Sequence, residues 1–456
     1  METTILENIQ AELETELKRT LDRLSRASRE ERSIQRAEIS VDDINPISWL
    51  NAQKFVSKIF WARRDQITTI AGTGAVHHII TDSLHIMRTL RDNLQHSHPH
   101  IRYFGGMRFD IDRDIDLIWL PFAKFRFVVP RFELITSEQG QTFAINFLVL
   151  PDQDVGELFK ELQQEIEKLN FGEPVSKQVL PGLISQTETP SQSEWHDMVN
   201  SALDAIDREE FDKIVLSSKT ILEFAEDINP LDLLQQILKN NGRSFHFVFQ
   251  FQNGYNFMGM TPECLFQRRG DDLYTEAIAS TRKRGATLQE DEELAHELLQ
   301  SDKDLREHRW VKKMILDRLQ PYCQDIQSTL NESLLKLTNV QHLFSEFRAE
   351  LKPNVNNEQL LTALHPTPAV GGYPKDKSLE RIAQLESFDR GWYAAPVGWV
   401  SRDEAEFAVA IRSALVHKNR LHIYAGSGIV QGSDPQKEWE ENRNKAQNFL
   451  LLFERA

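Results

Sequence analysis

Cysteine is almost absent: Cys264 and Cys323 are the only two in 456 residues. Two are too few for a disulfide framework, so a reducing cytoplasm is the expected compartment. No apolar run reaches the roughly 20 residues of a membrane-spanning helix, and no membrane is expected as a partner. There is no long basic run, and the net charge of −16 argues against nucleic acid. Low-complexity tracts and short-period repeats are missing. The chain has no P-loop and no Gly-x-Ser-x-Gly elbow, its histidines lack zinc-ligand spacing, and its cysteines stand alone.

What is present is enough chain for a large core. Length suggests roughly three domains, but one large α/β or layered domain is also allowed. Residues 1–35 are rich in Glu, Lys and Arg, with Ile5, Leu6, Ile9, Leu13, Leu17 and Leu21 at helical spacing. That pattern predicts an amphipathic helix, not a signal peptide. Residues 45–150 read mostly as strands with tight turns, and 77–98 and 155–168 have helical spacing. Residues 172–193 carry Gly, Pro, Ser and Thr without clear periodicity and read as a linker. Beyond it the patterns predict helix 194–209, strand 212–222, helix 230–240, and strands 244–252, 255–259, 264–268 and 272–278. One long helix at about 287–320 follows, then strands 395–401, 405–415 and 420–425 and a final helix over 436–456. Strands, helices and strands again in each half predict an α+β layered fold with a large antiparallel component. The N-terminal half, about 40–170, and the region of about 195–456 are expected to pack as one unit over 1–456.

Several positions carry chemistry. After the strand at Leu421–Ala425, Gly426-Ser427-Gly428 predicts a turn whose backbone can approach something small. Asp434 can cap a helix starting at Pro435. Glu438, Glu441 and Lys445, at i, i+3 and i+7, share a face, which is either solvated or a site for a hard cation and an anionic ligand. Asp304 and Glu307 form a second i, i+3 carboxylate pair, and Mg²⁺ needs only one or two carboxylates, waters and a substrate oxygen. Lys213 opens the run Lys213-Ile214-Val215-Leu216, so it is either an edge lysine facing water or a desolvated base. Glu263, fixed by Gly259 and Pro262, is either an ordinary turn residue or an acid kept protonated. The run Thr275–Gly285 is a strand ending in small hydroxyl residues, a plain loop or a carboxylate cradle. Arg412 closes an apolar strand, as an ion-paired core end or a carboxylate clamp. Tyr393, after Arg390-Gly391-Trp392, is either core or ligand-facing.

These residues fall in an order that resembles the chorismate-utilising enzymes. The matching motifs are Lys213-Ile-Val-Leu, Gly259-Met-Thr-Pro-Glu263, Thr275-Glu-Ala-Ile-Ala-Ser-Thr-Arg282, Glu307-His308, His365-Pro-Thr-Pro-Ala369, Ala410-Ile-Arg412, Gly426-Ser-Gly-Ile-Val430 and Glu438-Trp-Glu-Glu441, over about 195–456. The N-terminal part is similar to the family's isochorismate synthases of the menaquinone or phylloquinone branch. It carries Trp49-Leu-Asn-Ala-Gln53, Phe60-Trp-Ala-Arg-Arg-Asp65, Ala71-Gly-Thr-Gly74 and Tyr103-Phe-Gly-Gly106. The resemblance implies two large, orthogonally packed sheets with helices outside, as in anthranilate synthase component I. It implies Lys213 as the base that activates water and Glu263 as the acid on the departing 4-hydroxyl of chorismate. It implies Glu307 and Glu441 as Mg²⁺ ligands, with Asp304 and Glu438 holding the metal's waters. Thr281, Gly428 and Lys445 match residues around the ring carboxylate, Tyr393 and Arg412 those on the enolpyruvyl carboxylate, and His342 a histidine near the ring. Ser280, Ala369 and Gly426 lie in the same substrate-facing motifs.

The resemblance separates the branches as well. Ala279 stands where aminodeoxychorismate synthases place a lysine nucleophile, and ammonia-using relatives generally lack the lysine matching Lys213. Ala369 differs from the Phe-Pro-Ser-x-Thr pattern of salicylate synthases, which favours stopping at isochorismate; release of pyruvate as a salicylate synthase is the alternative. A non-catalytic binding subunit is expected to lack the base, the acid or a metal glutamate, and this chain has them all. Ser280 for a usual Gly, Ser218 for Arg, Ser427 for Ala and Asn442 for Thr are departures from the family pattern. A monomer is expected, as relatives often are.

Overall fold

The computed structural model describes residues 2–26, 30–171, 180–239, 243–329, 332–337 and 340–454, with the backbone alone at 2–7, 303, 307, 447–448 and 451–454. Among them are a twelve-stranded and a ten-stranded sheet. All their strand pairs are antiparallel. The larger sheet runs from Ser33–Val41 through Gly140–Val149, Phe132–Ser137, Thr69–Thr73 and Lys58–Ala62 into Phe245–Gln252, Tyr255–Thr261, Ser413–His417, Arg420–Val430 and Lys213–Phe224. Gly372–Tyr373 and Leu183–Thr189 lie beyond Lys213–Phe224. The smaller sheet runs Cys323–Ser328, Val340–Leu351, Asp272–Lys283, Cys264–Arg269, Glu404–Val409, Pro396–Val400, Tyr103–Met107, Phe125–Val129 and His77–Thr81, with Ser333–Lys336 beside Val340–Leu351. Each sheet therefore takes strands from both halves of the chain.

Period-2 alternation builds two cores on the two faces of the larger sheet. Ile59, Trp61, Phe245, Phe247 and Phe249 face one core, which also holds Phe127 and Phe407 of the smaller sheet. This core is the layer between the sheets, and Trp61 Nε1 donates across it to Glu406 Oε1 at 2.7 Å. The alternate residues Phe60, Ala62 and Val248 face the second core, which holds Leu13, Leu17 and Leu21 of the helix Glu2–Ser25 and Leu158 and Leu162 of Val155–Ile166. Each fully buried leucine contributes about 2 kcal/mol. No helix among the described residues is long and apolar enough to cross a membrane.

Five local patterns came out differently from their sequence reading. The N-terminal helix ends at Ser25, and Ser33–Val41 is a strand paired with Gly140–Val149. Residues 77–98 divide into the strand His77–Thr81 and the helix Ile86–Gln95, because the β-branched run pairs with Phe125–Val129. The expected long helix breaks at Ser301, which is extended (φ −72°, ψ 107°) and caps the helix Asp302–Leu319 by accepting from Asp304 N. The expected strand 405–415 is two strands in different sheets, and Ala410–Arg412 carries the chain from one to the other. Gly426–Gly428 is not a turn: the strand continues to Val430 because it pairs with Lys213–Glu223 along its whole length. Of the segment read as a linker, residues 172–179 lie outside the described residues and Leu183–Thr189 pairs with Lys219–Phe224.

Candidate active site

Lys213 stands at the first position of its strand, flanked by Val430 on one side and Tyr373 on the other. It is not at a water-facing edge: the residue is only 8 % exposed. Two glycines make room for it. A Cβ on Gly428 would meet Lys213 Cε at 3.0 Å and Nζ at 3.5 Å. A Cβ on Gly372, whose φ is +135°, would strike the Lys213 carbonyl oxygen at 2.3 Å. The Ser378 hydroxyl donates to that same oxygen at 2.9 Å.

Glu263 sits in the connection between Tyr255–Thr261 and Cys264–Arg269, buried. Its amide donates to Thr261 Oγ1 at 3.2 Å, and its carbonyl accepts from Val409 N at 3.1 Å, so the backbone direction is fixed from both sides. Burial pushes the Glu263 carboxyl up to about 7, and the charge of Glu276 pushes the same way. A hydrogen bond from Thr367 and the Lys213 ammonium oppose this. The Thr367 hydroxyl donates to Glu263 Oε1 at 3.3 Å. A carboxyl that titrates near neutrality can deliver a proton where an ordinary glutamate cannot.

The other end of the pocket is built on a bulge. Between Ala279 and Thr281 the pairing with Val340–Leu351 slips by one residue, and Ser280 takes up the extra position at φ 54°. Glycine adopts that conformation without strain, which is the physical cost of serine here. The bulge turns Thr281 Oγ1 to within 3.0 Å of His342 Nδ1, and His342 Nε2 is 3.5 Å from Arg412 Nη2. Burial, helped by the Arg412 charge, holds His342 down at about 3, so it is neutral at physiological pH. Arg412 itself, at φ 48° in the crossing between sheets, is pushed down to about 10 by desolvation. It forms no ion pair with a carboxylate of the described residues. A desolvated guanidinium of this kind is ready for an anionic ligand.

Tyr393 is buried and stacks on Tyr424 with centroids 5.4 Å apart. Burial pushes its phenol up, and a Cβ on Gly426 would meet its hydroxyl at 3.0 Å. The Gly426 carbonyl accepts from Lys445 Nζ at 2.8 Å, and Lys445 also pairs with Glu441 Oε1 at 2.8 Å. Asp434 caps the final helix Pro435–Glu454 through Lys437 N. Glu438 Oε1 accepts from Ser433 at 3.0 Å, and the Ser427 hydroxyl donates to the Glu438 carbonyl at 3.2 Å.

Asp304, buried on Asp302–Leu319, pairs with Arg282 at 2.6 Å, and its carbonyl accepts from Ser280 Oγ at 3.4 Å. Glu307 is on the same helix, and its side chain lies outside the described residues. Among the described residues no three His, Cys, Asp or Glu side chains come close enough to hold a metal ion. Glu438 and Glu441 nevertheless share one face of the final helix and offer only hard carboxylate oxygens, a donor set that fits Mg²⁺ with its waters.

Ala369 lies in the turn 367–370, where Val370 N and Gly371 N both donate to the Thr367 carbonyl. Sequence reasoning used this turn but passed over Thr367, the residue in it that touches the acid. It also missed the pair Glu386 and Arg390. Glu386 accepts from Ser217 N and Oγ at 2.8 and 2.7 Å. Arg390 donates to Glu386, to Val215 O at 2.6 Å and to Val370 O at 2.9 Å, tying the strand of Lys213 to the turn of Thr367. The i, i+4 spacing of Glu386 and Arg390 was the visible signal, but such spacing usually marks a surface pair.

A buried acid that titrates near neutrality, a buried lysine and a desolvated arginine where two antiparallel sheets meet describe an enzyme for a small anionic substrate. The chain belongs to the chorismate binding enzyme family, whose profile matches residues 19–453. It is similar to the isochorismate synthase MenF of Bacillus subtilis (strain 168), 30 % identical over 434 residues that cover 90 % of this chain and 91 % of that protein. It is also similar to the solved structure of MenF, the menaquinone-specific isochorismate synthase from Escherichia coli, with a TM-score of 0.83 and 29 % identity over 96 % of this chain and 99 % of that one. Anthranilate synthase component I from Streptococcus pneumoniae TIGR4 shares the fold, with a TM-score of 0.63 at 21 % identity over 92 % of each chain.

Proposed function

We propose that this chain is an isochorismate synthase, an isomerase that interconverts chorismate and isochorismate for the menaquinone branch. The observation that carries the reading is Glu263, buried in the connection between the two sheets with the Thr367 hydroxyl donating to it and its carboxyl pushed up to about 7 by burial. Lys213 enters the step as its free amine and becomes the ammonium: it takes a proton from a water as the water oxygen bonds to C2 of the ring. The ring double bonds shift, the C4–O bond breaks, and Glu263 gives its proton to the departing hydroxyl, which leaves as water. One water enters and one leaves, and no covalent intermediate is needed.

Arg412 and Tyr393 hold the enolpyruvyl carboxylate, and Thr281, Gly428 and Lys445 surround the ring carboxylate, with His342 beside the ring. Ser280 shapes that loop, Gly426 leaves space at Tyr393, and Ala369 borders the acid. Glu307 and Glu441 are the residues that would hold Mg²⁺, with Glu438 and Asp304 beside them. When bound, the metal supplies positive charge to the ring carboxylate. The chain works as one domain over 1–456, as a cytoplasmic monomer, in keeping with two buried free cysteines and sheets shared by both halves.

The test is to incubate the protein with chorismate, with and without Mg²⁺, and resolve the products by chromatography while assaying pyruvate. Isochorismate in equilibrium with chorismate, without pyruvate, is expected. Salicylate with matching pyruvate would move the chain to the lyase branch, and no turnover would overturn the reading.

A further inference from the structure

Arg64 belongs to the N-terminal half, just past the strand Lys58–Ala62, yet its guanidinium reaches the acid. Nη1 donates to the carbonyl of Pro262, the residue before Glu263, at 3.1 Å. Nη2 pairs with Glu276 Oε1, and the guanidinium lies over the Phe245 ring at 5.3 Å. Glu276 is buried on the strand Asp272–Lys283 and also accepts from the Tyr274 hydroxyl at 2.6 Å. Its second oxygen, Oε2, is buried without a hydrogen-bond partner among the described residues. One cation thus grips the backbone ahead of Glu263 and half-satisfies a second carboxylate close to it.

We infer that the Arg64–Glu276 pair is a positioning unit for the proposed general acid: Glu276 holds the Arg64 guanidinium in place, and Arg64 fixes the backbone segment that aims Glu263. The inference rests on the reading of Glu263 as the acid. Burial raises Glu263 most, and among the described residues the Glu276 charge adds to it, against the Thr367 hydroxyl and Lys213, with the buried Tyr393 phenol also facing it. Around Glu276 itself stand Arg64, Tyr274 and the buried Cys264. On the next strand Glu346 accepts from the Tyr274 hydroxyl at 3.3 Å, and Arg348 lies over the Tyr274 ring. Among these, Arg64 is the cation hydrogen-bonded to Glu276, so it sets how much of the Glu276 charge reaches Glu263.

The two members then act on the acid as one unit. In Glu276→Gln the charge is gone and Glu263 loses its proton earlier. The basic limb of the kcat/KM pH profile should fall by about half to one pH unit. In Arg64→Met the buried Glu276 carboxylate loses its cation and takes up a proton instead, so the limb should fall by a similar amount. Arg64→Lys should return it toward wild type, and the double variant should fall no further than Glu276→Gln. A structural role alone would lower thermal stability and leave the limb in place. Limbs unmoved in both single variants, or falls that add in the double variant, would overturn the pair's role. The underlying reading is checked separately: a Glu263→Gln protein with normal turnover and an unchanged limb removes Glu263 as the acid, whatever the pair does.

Discussion

Thr281 Oγ1 and His342 Nδ1 are 3.0 Å apart, across the bulge at Ser280. His342 is neutral, and Arg412 on its other side can only donate. Nε2 is therefore bare and Nδ1 carries the ring proton, which faces the Thr281 hydroxyl oxygen and the Ser280 backbone as acceptors. The threonine hydroxyl keeps its own proton for a ligand oxygen. Thr281→Val preserves shape and removes that donor. A hydrogen bond to a charged group is worth about 1.5–3 kcal/mol, so the KM for chorismate should rise roughly 10- to 100-fold. Thermal stability should change little, and steady-state kinetics with a parallel melt checks both.

Glu263 has a folded value raised from 4.5 to about 7. A raised value means the folded state holds the proton more tightly than the unfolded chain. The stabilisation is full below 4.5 and is lost as pH rises through 7; above that the buried carboxylate is charged, at a cost on the order of 3 kcal/mol. Two results follow for Glu263→Gln. Turnover should drop by about 10²- to 10⁴-fold, because the proton donor is gone. At pH 8 the variant should melt higher than wild type, and the difference should vanish by pH 5. Melting curves that run parallel at both pH values would remove the raised value.

The same residues show what a single sequence reveals. Leu13, Leu17 and Leu21 were legible as a buried stripe because helical spacing is local, and so was the Asp434 cap, three residues from its partner. Lys213, Glu263 and Arg412 stood out through the short motifs around them, although only Lys213 lies in a strand while Glu263 and Arg412 lie in the connections between strands. The bulge at Ser280 was not legible, since nothing near it marks the residue that the pairing with Leu343 and His342 pushes out. Nor was the sheet change at 410–412, where an unbroken apolar run serves two different layers. Thr367, Arg64 and Glu386 escaped for a simpler reason: their partners lie 104, 198 and 169 residues away.

Gly428 lies against the Lys213 side chain, and Gly428→Ala puts a methyl 3.0 Å from Cε. That is too close for the present position of the ammonium, though a flexible lysine can move aside. The fold should hold while turnover falls by about tenfold or more through misplacement of the base. Lys213→Ala should abolish turnover with the fold intact. Circular dichroism and product chromatography separate the two effects, and near-normal activity in Lys213→Ala would end its assignment as base.

Glu441 pairs with Lys445, and Lys445 in turn donates to the Gly426 carbonyl, so charge on the final helix is shared between a carboxylate and an ammonium within one turn. Removing the carboxylate charge in Glu441→Gln leaves Lys445 on Gly426 and should leave the helix in place. It takes away one of the hard oxygens proposed for Mg²⁺. The Mg²⁺ concentration for half-maximal activity should rise roughly 10- to 100-fold, with part of the rate recovered at saturating metal. Glu438→Gln should give a smaller rise, because Ser433 still has an amide oxygen to meet in place of the carboxylate. The check is a Mg²⁺ titration of turnover beside a calorimetric titration of the metal alone. Full activity of Glu441→Gln at limiting Mg²⁺ would remove Glu441 from the metal site and shift the assignment to the helix that carries Asp304 and Glu307.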